Sequence, residues 1–331
     1  MSAKYSRIIS TGSALPAARI TNEGLARRLA AAGIATSDEW IRTRTGIEAR
    51  RFVNGTTETT TTLAAAAAQK ALEGGGVDPK TIDLIIVATT TPDQVFPSTA
   101  AAVQRLLGAA GCAAFDVQAV CAGFIYALNA ADAMLRAGPY QRALVIGAET
   151  MSRVIDMKDR ATCVLFGDGA GAVVLEASAK PGILAARMYA DGSYDENVLG
   201  LTARIDHGEL CGRPYINMDG RQVFKLAVDG LTSSAQEVAV LAGVDPQDED
   251  VYIPHQANLR IMTMVAKKLG IPDERMIKTV SEQGNTSAAS VPLALDVAVR
   301  SGKISDGSLV LLQAVGAGMA WGSAIVRWRS E

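Results

Sequence analysis

The chain has 331 residues, of which 49% are hydrophobic and 20% are charged, a composition that suits a globular protein and excludes a disordered or fibrous one. The length exceeds that of one typical domain, so two halves or one duplicated fold are expected. With 32 basic against 34 acidic residues the formal net charge is -2, which gives no overall attraction to nucleic acid or anionic membranes.

The N-terminal segment, the cysteines and the histidines exclude further classes of protein. Residues 1–20 lack a basic segment followed by a long apolar one, and no stretch reaches the ~18 charge-free apolar residues of a membrane span, so a cytoplasmic protein is expected. The cysteines form no Cys-x-x-Cys pair and are expected to be reduced thiols. They are Cys112, Cys121, Cys163 and Cys211. The only histidines are His207 and His255, and no metal site is expected.

Apolar, β-branched runs alternate along the chain with Ala- and Leu-rich stretches of helical spacing. The predicted order is helix 58–73, strand 83–88, helix 98–107, helix 122–137, strands 143–147 and 172–175, helix 222–242, strand 251–253, helices 256–269 and 287–300, and strand 308–312. This alternation predicts an α/β protein with parallel or mixed sheets.

An internal repeat relates the two halves of the chain. The segment that begins at Cys121, CAGFIYALNAADAMLRAG, is similar to the one that begins at Asn285, NTSAASVPLALDVAVRSG. Each is followed by a predicted strand and then by a Gly-rich turn into another strand. The repeat predicts two pseudo-twofold-related halves, residues 1–180 and 181–331. Cys121 and Asn285 would then begin equivalent helices, and His255, at the end of a strand in the second half, would join them in one cleft.

These three side chains suit acyl transfer. Cys121 follows an apolar run, 113–120, and is predicted to lie on a tight strand-to-helix turn, where the helix dipole favours a nucleophilic thiolate. His255 and Asn285 would add two neutral hydrogen-bond donors. Taken singly, each residue has a structural alternative, namely a buried cysteine, a structural histidine and a helix N-cap.

A Cys-His-Asn set also occurs in papain-like proteases, in which the histidine follows the cysteine by roughly 130–150 residues. His255 lies 134 residues after Cys121, which is within that range. The sequence around Cys121 lacks the pattern of those proteases, however, and a duplicated α/β chain is the wrong fold for the class. The protease alternative is therefore disfavoured.

Short segments of the chain occur in an order typical of one enzyme family. They are TSDEWI at 36–41, TRTGI at 43–47, FPS at 96–98, CAGF at 121–124, FGDGAG at 166–171, PHQAN at 254–258, GNTSAAS at 284–290 and WGS at 321–323. In these segments, and over nearly its whole length, the chain resembles the thiolase-like condensing enzymes, and among them the β-ketoacyl-[acyl-carrier-protein] synthase III family. The resemblance implies a thiolase-like α/β fold with stacked mixed sheets and helices.

The resemblance also implies an acyltransferase that carries out a decarboxylative Claisen condensation. A short acyl-CoA, in the first place acetyl-CoA, would acylate Cys121, and malonyl-acyl carrier protein would then give a β-ketoacyl product that initiates type II fatty-acid synthesis. His255 and Asn285 would hold the malonyl thioester carbonyl, and the N–H groups of Cys121 and Ala317 would form the oxyanion hole. Acyl-CoA is a substrate, so no cofactor is implied. A homodimer is implied, with acyl carrier protein as its partner and with neither nucleic acid nor membrane.

Binding residues are implied by the same resemblance. Those for CoA are Thr36, Trp40, Arg44, Arg160 and Asn258, with Trp40 and Arg160 on opposite faces of the adenine. Those for the carrier protein are Lys225, Arg260, Lys267 and Lys268. Those for the acyl pocket are Phe96, which would reach toward the pocket of a partner subunit, Val315 and Met319. Some relatives have three glycines and a phenylalanine in the segment that begins at Val315. The acyl pocket of this chain can therefore differ, and a primer longer than acetyl stays an alternative.

Two other functions stand beside this one. A related synthase of secondary metabolism, or one that transfers acyl groups without condensation, would have the same catalytic residues. A non-catalytic subunit that only binds the carrier protein is disfavoured, because such subunits usually lose the nucleophile and this chain retains Cys121, His255 and Asn285.

Overall fold

The structure, a computed structural model, describes residues 5–329. The elements of the N-terminal half are β1 (Tyr5–Ala14), β2 (Ala18–Thr21), α1 (Asn22–Ala31), α2 (Asp38–Thr45), β3 (Ala49–Phe52), α3 (Thr60–Gly75), β4 (Leu84–Ala88), α4 (Thr99–Leu107), β5 (Ala113–Val117), α5 (Gly123–Ala137), β6 (Arg142–Thr150), α6 (Arg160–Cys163) and β7 (Asp168–Ser178). Those of the C-terminal half are β8 (Ile183–Ala190), β9 (Leu199–Gly200), β10 (Arg204–Asp206), β11 (Glu209–Cys211), β12 (Asn217–Met218), α7 (Gly220–Ala242), β13 (Val251–Pro254), α8 (Leu259–Leu269), α9 (Val280–Gln283), α10 (Ser290–Arg300), β14 (Leu309–Gly316) and β15 (Ala320–Arg327). Within residues 5–329 no helix is long and apolar enough to cross a membrane.

Two mixed sheets have matching strand orders. The first is β1-β7-β6-β4-β5. In this sheet β6, β4 and β5 are parallel, β7 is antiparallel to β6, and β1 is antiparallel to β7. The second is β8-β15-β14-β13, in which β13 and β14 are parallel and β15 and β8 follow antiparallel. The first sheet is complete at Ser178 and the second begins at Ile183. The division into domains 1–180 and 181–331 stays a prediction.

Strand side chains alternate between a shared inner layer and two outer layers. In β4, Leu84 and Ile86 pack with the central helices α5 and α10, whereas Ile85 packs on the other side with α3 and α4. In β14, Leu312 faces the same central helices and Leu311 faces α7 and α8. The layers are therefore helices, sheet, helices, sheet, helices. Because both faces of each sheet are covered, the strands are continuous apolar runs, and the predicted α/β architecture with mixed sheets is confirmed.

One predicted helix, 256–269, begins later than expected and places His255 outside it. Helix α8 begins at Leu259, with Asn258 as its N-cap. The cause is the buried side chain of Gln256, which accepts two backbone N–H groups from residues 279–280 and donates to two backbone carbonyls. These distant contacts hold residues 254–258 in a non-helical conformation.

Candidate active site

Cys121 lies on a short 3-10 turn, Val120–Ala122, between β5 and α5. The residue before it, Val120, has a φ of 47°, which is sterically unfavourable for a β-branched side chain and marks a strained turn. The end of β14 packs directly against this turn, since a Cβ placed on Gly316 would lie 2.6 Å from the Cys121 nitrogen. Only glycine fits there, and the backbone that continues to Ala317 is thereby brought next to the backbone of Cys121.

His255 follows β13 and is buried. Its backbone N–H donates to the Gln313 backbone carbonyl at 2.7 Å and so extends the pairing of β13 with β14. Its Nδ1 lies 2.5 Å from Ser290 Oγ, an oxygen that also accepts the N–H of Gln256 at 3.4 Å. The Ser290 contact engages Nδ1, which among the hydrogen bonds of residues 5–329 leaves Nε2 as the ring nitrogen that can bind a ligand. Burial lowers the pKa of His255 to about 3, so the imidazole is neutral.

Asn285 lies between α9 and a 3-10 turn, Ser287–Ala289, which replaces the first turn of the predicted helix 287–300. Its backbone N–H donates to the Leu165 carbonyl at 2.8 Å, and its carbonyl accepts the Gly167 N–H at 2.9 Å. Its side-chain oxygen accepts the Ser287 N–H at 2.9 Å. The side-chain NH2 group is therefore the end of Asn285 that can donate to a ligand.

The structure brings Cys121, His255 and Asn285 together on the wall of one cavity of about 470 Å³. Ala317 lines the same cavity. Most of the remaining wall is apolar, and both halves of the chain contribute side chains to it. Phe166, for example, comes from the first half. A concave, mostly apolar cavity with a few converging polar groups is typical of a small-molecule site.

Burial dominates the electrostatic environment of Cys121. Burial raises the pKa of the thiol to about 12, the Ser287 hydroxyl opposes the rise through a hydrogen bond, and the Glu149 carboxyl adds to it. The thiolate expected from the start of α5 stays a prediction, and burial, the largest cause of the pKa shift, acts against it. With this pKa the side chain of Cys121 is a neutral thiol at neutral pH.

The residues expected to bind CoA cluster around Trp40 on α2. The guanidinium groups of Arg44 and Arg160 lie 4.6 and 4.3 Å from the Trp40 ring centroid. Arg160 also donates to the Ala35 carbonyl at 2.8 Å, next to Thr36 in sequence. Asn258, which lines the cavity, donates to the Arg44 carbonyl at 3.3 Å. The Trp40 cluster is therefore connected to the mouth of the cavity.

The other predicted binding residues fall into two groups. Arg260 and Val315 line the cavity. The remaining five do not line it. They are Lys225, Lys267 and Lys268, which are exposed on α7 and α8, Phe96, which is exposed on the loop before α4, and Met319, which is buried in the core beside α7. The roles of all these residues stay predictions.

Sequence analysis did not single out Glu149, Ser287 or Ser290. The two serines had one signal, their place in the segment 284–290 beside Asn285. Glu149 had another, a carboxyl residue near the end of an otherwise apolar strand. Neither signal shows which partner each side chain meets, because those partners lie far away in sequence.

Comparison with known proteins identifies the family. Family models for 3-oxoacyl-[acyl-carrier-protein] synthase III and for its C-terminal part match residues 115–192 and 240–328. The chain is similar to the 3-oxoacyl-[acyl-carrier-protein] synthase III of Aquifex aeolicus VF5, with 47% identity, a TM-score of 0.90, and coverage of 98% of this chain and 100% of that one. For the enzyme of Pseudomonas aeruginosa PAO1 the identity is 38% and the TM-score is 0.90, with coverage of 98% of this chain and 98% of that one. For the priming β-ketosynthase of the R1128 polyketide pathway the identity is 37% and the TM-score is 0.92, with coverage of 98% of this chain and 97% of that one.

The fold is that of the thiolase-like condensing enzymes. Within that class, the chain belongs to the 3-oxoacyl-[acyl-carrier-protein] synthase III family, in which 3-oxoacyl is another term for β-ketoacyl. The resemblance drawn from the sequence is confirmed.

Proposed function

We propose that this protein condenses a short acyl-CoA, in the first place acetyl-CoA, with malonyl-acyl carrier protein and so initiates type II fatty-acid synthesis. The observation that carries the proposal is the convergence of a buried cysteine, a neutral histidine and an asparagine amide in one cavity. Family membership supports the same reaction. All bonds that form or break belong to the thiol, the thioester and the malonyl carboxylate, so the reaction needs no cofactor.

In the first half-reaction Cys121 Sγ attacks the thioester carbonyl of the acyl-CoA. The bond between the acyl carbon and the CoA sulfur breaks, and the thiol proton ends on the departing CoA. The backbone N–H groups of Cys121 and Ala317 would stabilise the tetrahedral oxyanion, and the close packing of Gly316 on the Cys121 turn supports their pairing. Losing one such donor typically costs roughly 2.7–4 kcal/mol.

In the second half-reaction malonyl-carrier protein loses CO2, and the electron pair of the broken bond forms an enolate. His255 Nε2–H and the Asn285 amide would donate to the enolate oxygen. Because burial lowers the pKa of His255 to about 3, the ring stays a neutral donor across the physiological range. The enolate carbon then attacks the acyl group, and Cys121 leaves as a thiolate that is reprotonated.

CoA would bind at the Trp40 cluster. In the structure both guanidinium groups lie over the Trp40 ring, so an adenine that stacks on Trp40 must take the place of one of them. We assign that movement to Arg160, which would then cover the opposite face of the adenine. Quenching of tryptophan fluorescence by CoA, lost in Trp40→Ala and weakened in Arg160→Ala, would test the assignment.

Acyl carrier protein, a homodimer and a cytoplasmic location belong to the same proposal. Arg260 at the cavity mouth and Lys267 further along α8 supply positive charge for an acidic carrier. Fractionation of cells that express the protein tests the location, and the carrier surface and the dimer are taken up in the Discussion.

A second candidate is a priming synthase of secondary metabolism. It is favoured by the 37% identity with the priming β-ketosynthase of a polyketide pathway and by Val315, which lines the cavity at a position where some relatives differ. Ranking acyl-CoA primers by kcat/KM separates the two functions. Preference for acetyl-CoA supports fatty-acid initiation, whereas clear preference for a longer or branched primer supports the alternative.

The primary test is the acyl-enzyme. Incubation with acetyl-CoA should add one acetyl mass to the wild type, mapped to the peptide that contains Cys121, and none to Cys121→Ala. Cys112→Ala and Cys211→Ala, which remove the two partly exposed thiols, serve as matched controls and should acylate normally. An adduct on any other cysteine would contradict the assignment.

A further inference from the structure

A single buried side chain connects the two segments that carry the proposed enolate donors. Gln256 is 1% exposed and does not line the cavity. Its Nε2 donates to the backbone carbonyls of Pro254 at 2.8 Å and Ile277 at 3.0 Å. Its Oε1 accepts the backbone N–H groups of residues 279–280 at 2.8 and 3.1 Å. Both N–H donors of the carboxamide and both lone pairs of its oxygen are therefore used, which fixes its orientation.

On one side, Gln256 holds the segment that carries His255. The carbonyl that it binds belongs to Pro254, the residue before His255, so the bond folds the Gln256 side chain back onto the end of β13. The His255 backbone N–H is held by the Gln313 carbonyl of β14 at 2.7 Å, and its ring contacts Ser290 at 2.5 Å. The backbone on either side of the imidazole thus has fixed partners.

On the other side, Gln256 caps the short helix that leads to Asn285. The residue before α9, Thr279, makes no capping hydrogen bond with its own side chain. The first N–H groups of a helix have no partner within it, and here the Gln256 oxygen accepts two N–H groups at this end. Helix α9 then ends after four residues at Gly284, and Asn285 follows. The point at which Gln256 anchors the start of α9 therefore determines where Asn285 lies.

We propose that Gln256 is a positioning residue for condensation, because it sets the spacing between the His255 ring and the Asn285 amide. The inference rests on the proposed function, in which these two groups donate to the same enolate oxygen. Two donors stabilise one oxygen only when both lie at hydrogen-bonding distance and angle from it. A displacement of about 1 Å in either segment would therefore slow the reaction strongly. Gln256 does not touch the substrate and acts through both donors.

The acylation step depends on other anchors. The turn that carries Cys121 packs against Gly316 of β14, and β14 pairs with β15 along its length. Within residues 5–329 the side-chain hydrogen bonds of Gln256 reach neither this turn nor β14. A substitution of Gln256 should therefore affect the two half-reactions unequally.

The test compares the two half-reactions in Gln256→Met, which keeps the size of the side chain and removes all four hydrogen bonds. Condensation with malonyl-carrier protein should lose about tenfold to a hundredfold in kcat, whereas single-turnover acetylation of Cys121 by acetyl-CoA should stay within about twofold. Ser10→Ala is the control, since it removes a buried hydrogen bond to the Ala71 carbonyl at 2.7 Å and Ser10 does not line the cavity. It should lower the melting temperature and leave the ratio of the two rates unchanged.

A double-mutant cycle shows whether Gln256 acts through Asn285. In the Asn285→Asp background the amide donor is already missing, so the spacing that Gln256 sets has little left to control. Adding Gln256→Met to this background should reduce condensation by at most about threefold further. Fully additive losses would mean that Gln256 acts independently of Asn285.

A second substitution keeps the question decidable if Gln256→Met does not fold. Gln256→Glu retains an oxygen acceptor for α9 and loses the NH2 group that binds two carbonyls, and the same unequal effect on the two half-reactions is expected. Equal loss of both half-reactions, unchanged condensation or full additivity would overturn this inference alone. A wild type that gains no acetyl adduct would contradict the proposed function and this inference with it, so the two failures are distinguishable.

Discussion

Asn285 uses the two ends of its carboxamide for different purposes. The oxygen accepts the Ser287 N–H and so stabilises the turn that leads into α10, whereas the NH2 group of this cavity-lining residue can donate to a ligand. Asn285 is not the N-cap of α10, which is Ala289, but its bond to the turn is compatible with the proposed donor role. A substitution that keeps the oxygen and removes the donor separates them.

Asn285→Asp should retain the turn and still form the acyl-enzyme, but lose condensation by about a hundredfold or more, because a carboxylate cannot donate to the enolate oxygen. Asn285→Ala should lose both condensation and some thermal stability. Single-turnover acetylation and steady-state condensation are measured for each variant, with melting temperature as the control. Normal condensation by Asn285→Asp would show that this residue only stabilises the turn.

The residue positions of the site could be predicted from the sequence further than its electrostatics. The repeat places Cys121 and Asn285 on equivalent turns and His255 after the equivalent of β4, and the structure brings these three together. The pKa of Cys121 could not be predicted in this way, because its largest cause, burial, depends on the whole fold. The hydrogen bond of the His255 ring is made to Ser290, which is 35 residues away in sequence, and no local pattern reports that contact.

At the scale of elements, the repeat has a packing reason that the sequence does not display. Asp132 of α5 accepts a hydrogen bond from Ser6 at 2.8 Å, and Asp296 of α10 accepts one from Thr11 at 2.7 Å. Both central helices are thus fastened to the same strand, β1. Each aspartate also pairs with the arginine four residues later, at 3.4 and 2.9 Å. The repeated Asp-Arg pattern could be read from the sequence, but its shared partner strand could not.

The prediction of helix boundaries from the sequence failed where contacts with residues distant in sequence determine them. Apolar runs such as β4 and β14 were predicted well because both of their faces are buried. The start of α8 was not, because the side chain of Gln256 binds backbone groups at 279–280 and competes with helix formation. The consequence for function is that His255 lies on an extended segment, held by β14, and not on a helix.

Helix α8 connects the cavity mouth to the proposed carrier surface. Arg260 lines the cavity, and Lys267 lies seven residues further on, about 10 Å along the helix axis at 1.5 Å per residue. Lys268 is exposed and pairs with Asp229 of α7 at 3.2 Å. Because such an exposed pair contributes little to stability, the charge of Lys268 remains available to a partner.

Lys267→Glu combined with Lys268→Glu should raise KM for malonyl-carrier protein roughly tenfold and leave acylation by acetyl-CoA nearly unchanged, because rim charges act mainly on encounter. Added salt should shrink the difference between variant and wild type. Lys80→Glu combined with Lys303→Glu, on exposed residues outside α7 and α8, is the matched control. Equal weakening of both half-reactions would point to damage to the fold or to CoA binding.

At the scale of the whole molecule, the first sheet ends in β5, whose five residues are all partly exposed and whose outer edge has no strand beside it within residues 5–329. On the loop before α4, Val95 and Phe96 are 73% and 82% exposed. An open sheet edge and exposed large apolar residues are liabilities for a monomer. Both features support the proposed homodimer.

Sedimentation should therefore show a dimer at micromolar concentration. Phe96→Glu should weaken it about tenfold or more, since a charge would be buried at the interface. Val240→Glu, on a residue that is 79% exposed on α7, is the control and should leave the dimer intact. If Phe96 reaches the partner's pocket, Phe96→Ala should change the ranking of primers. A wild type that sediments as a monomer would contradict the proposal.

Glu249, which lies outside the candidate site, makes the stability of the folded protein depend on pH. It lies just before β13, and within residues 5–329 neither of its buried carboxyl oxygens has a hydrogen-bond partner. The nearby cation, Arg275, donates instead to the Glu249 backbone carbonyl at 2.9 Å. Burial, followed by the charges of Asp245 and Asp248, raises the pKa of Glu249 from its ordinary value of 4.5 to about 8. The folded state therefore holds this proton more tightly than the unfolded state does.

A raised folded-state pKa stabilises the protein fully below pH 4.5, and that contribution is lost as pH rises through about 8. Glu249→Gln keeps the size and the neutral form, so its melting temperature relative to wild type should increase from pH 5 to pH 9 and exceed it by several degrees at the upper end. Glu274→Gln, on an exposed residue nearby, is the control and should show a constant difference. Melting curves at each pH measure the effect, and a Glu249→Gln difference that does not change between pH 5 and 9 would mean that this carboxyl is solvated or paired in solution.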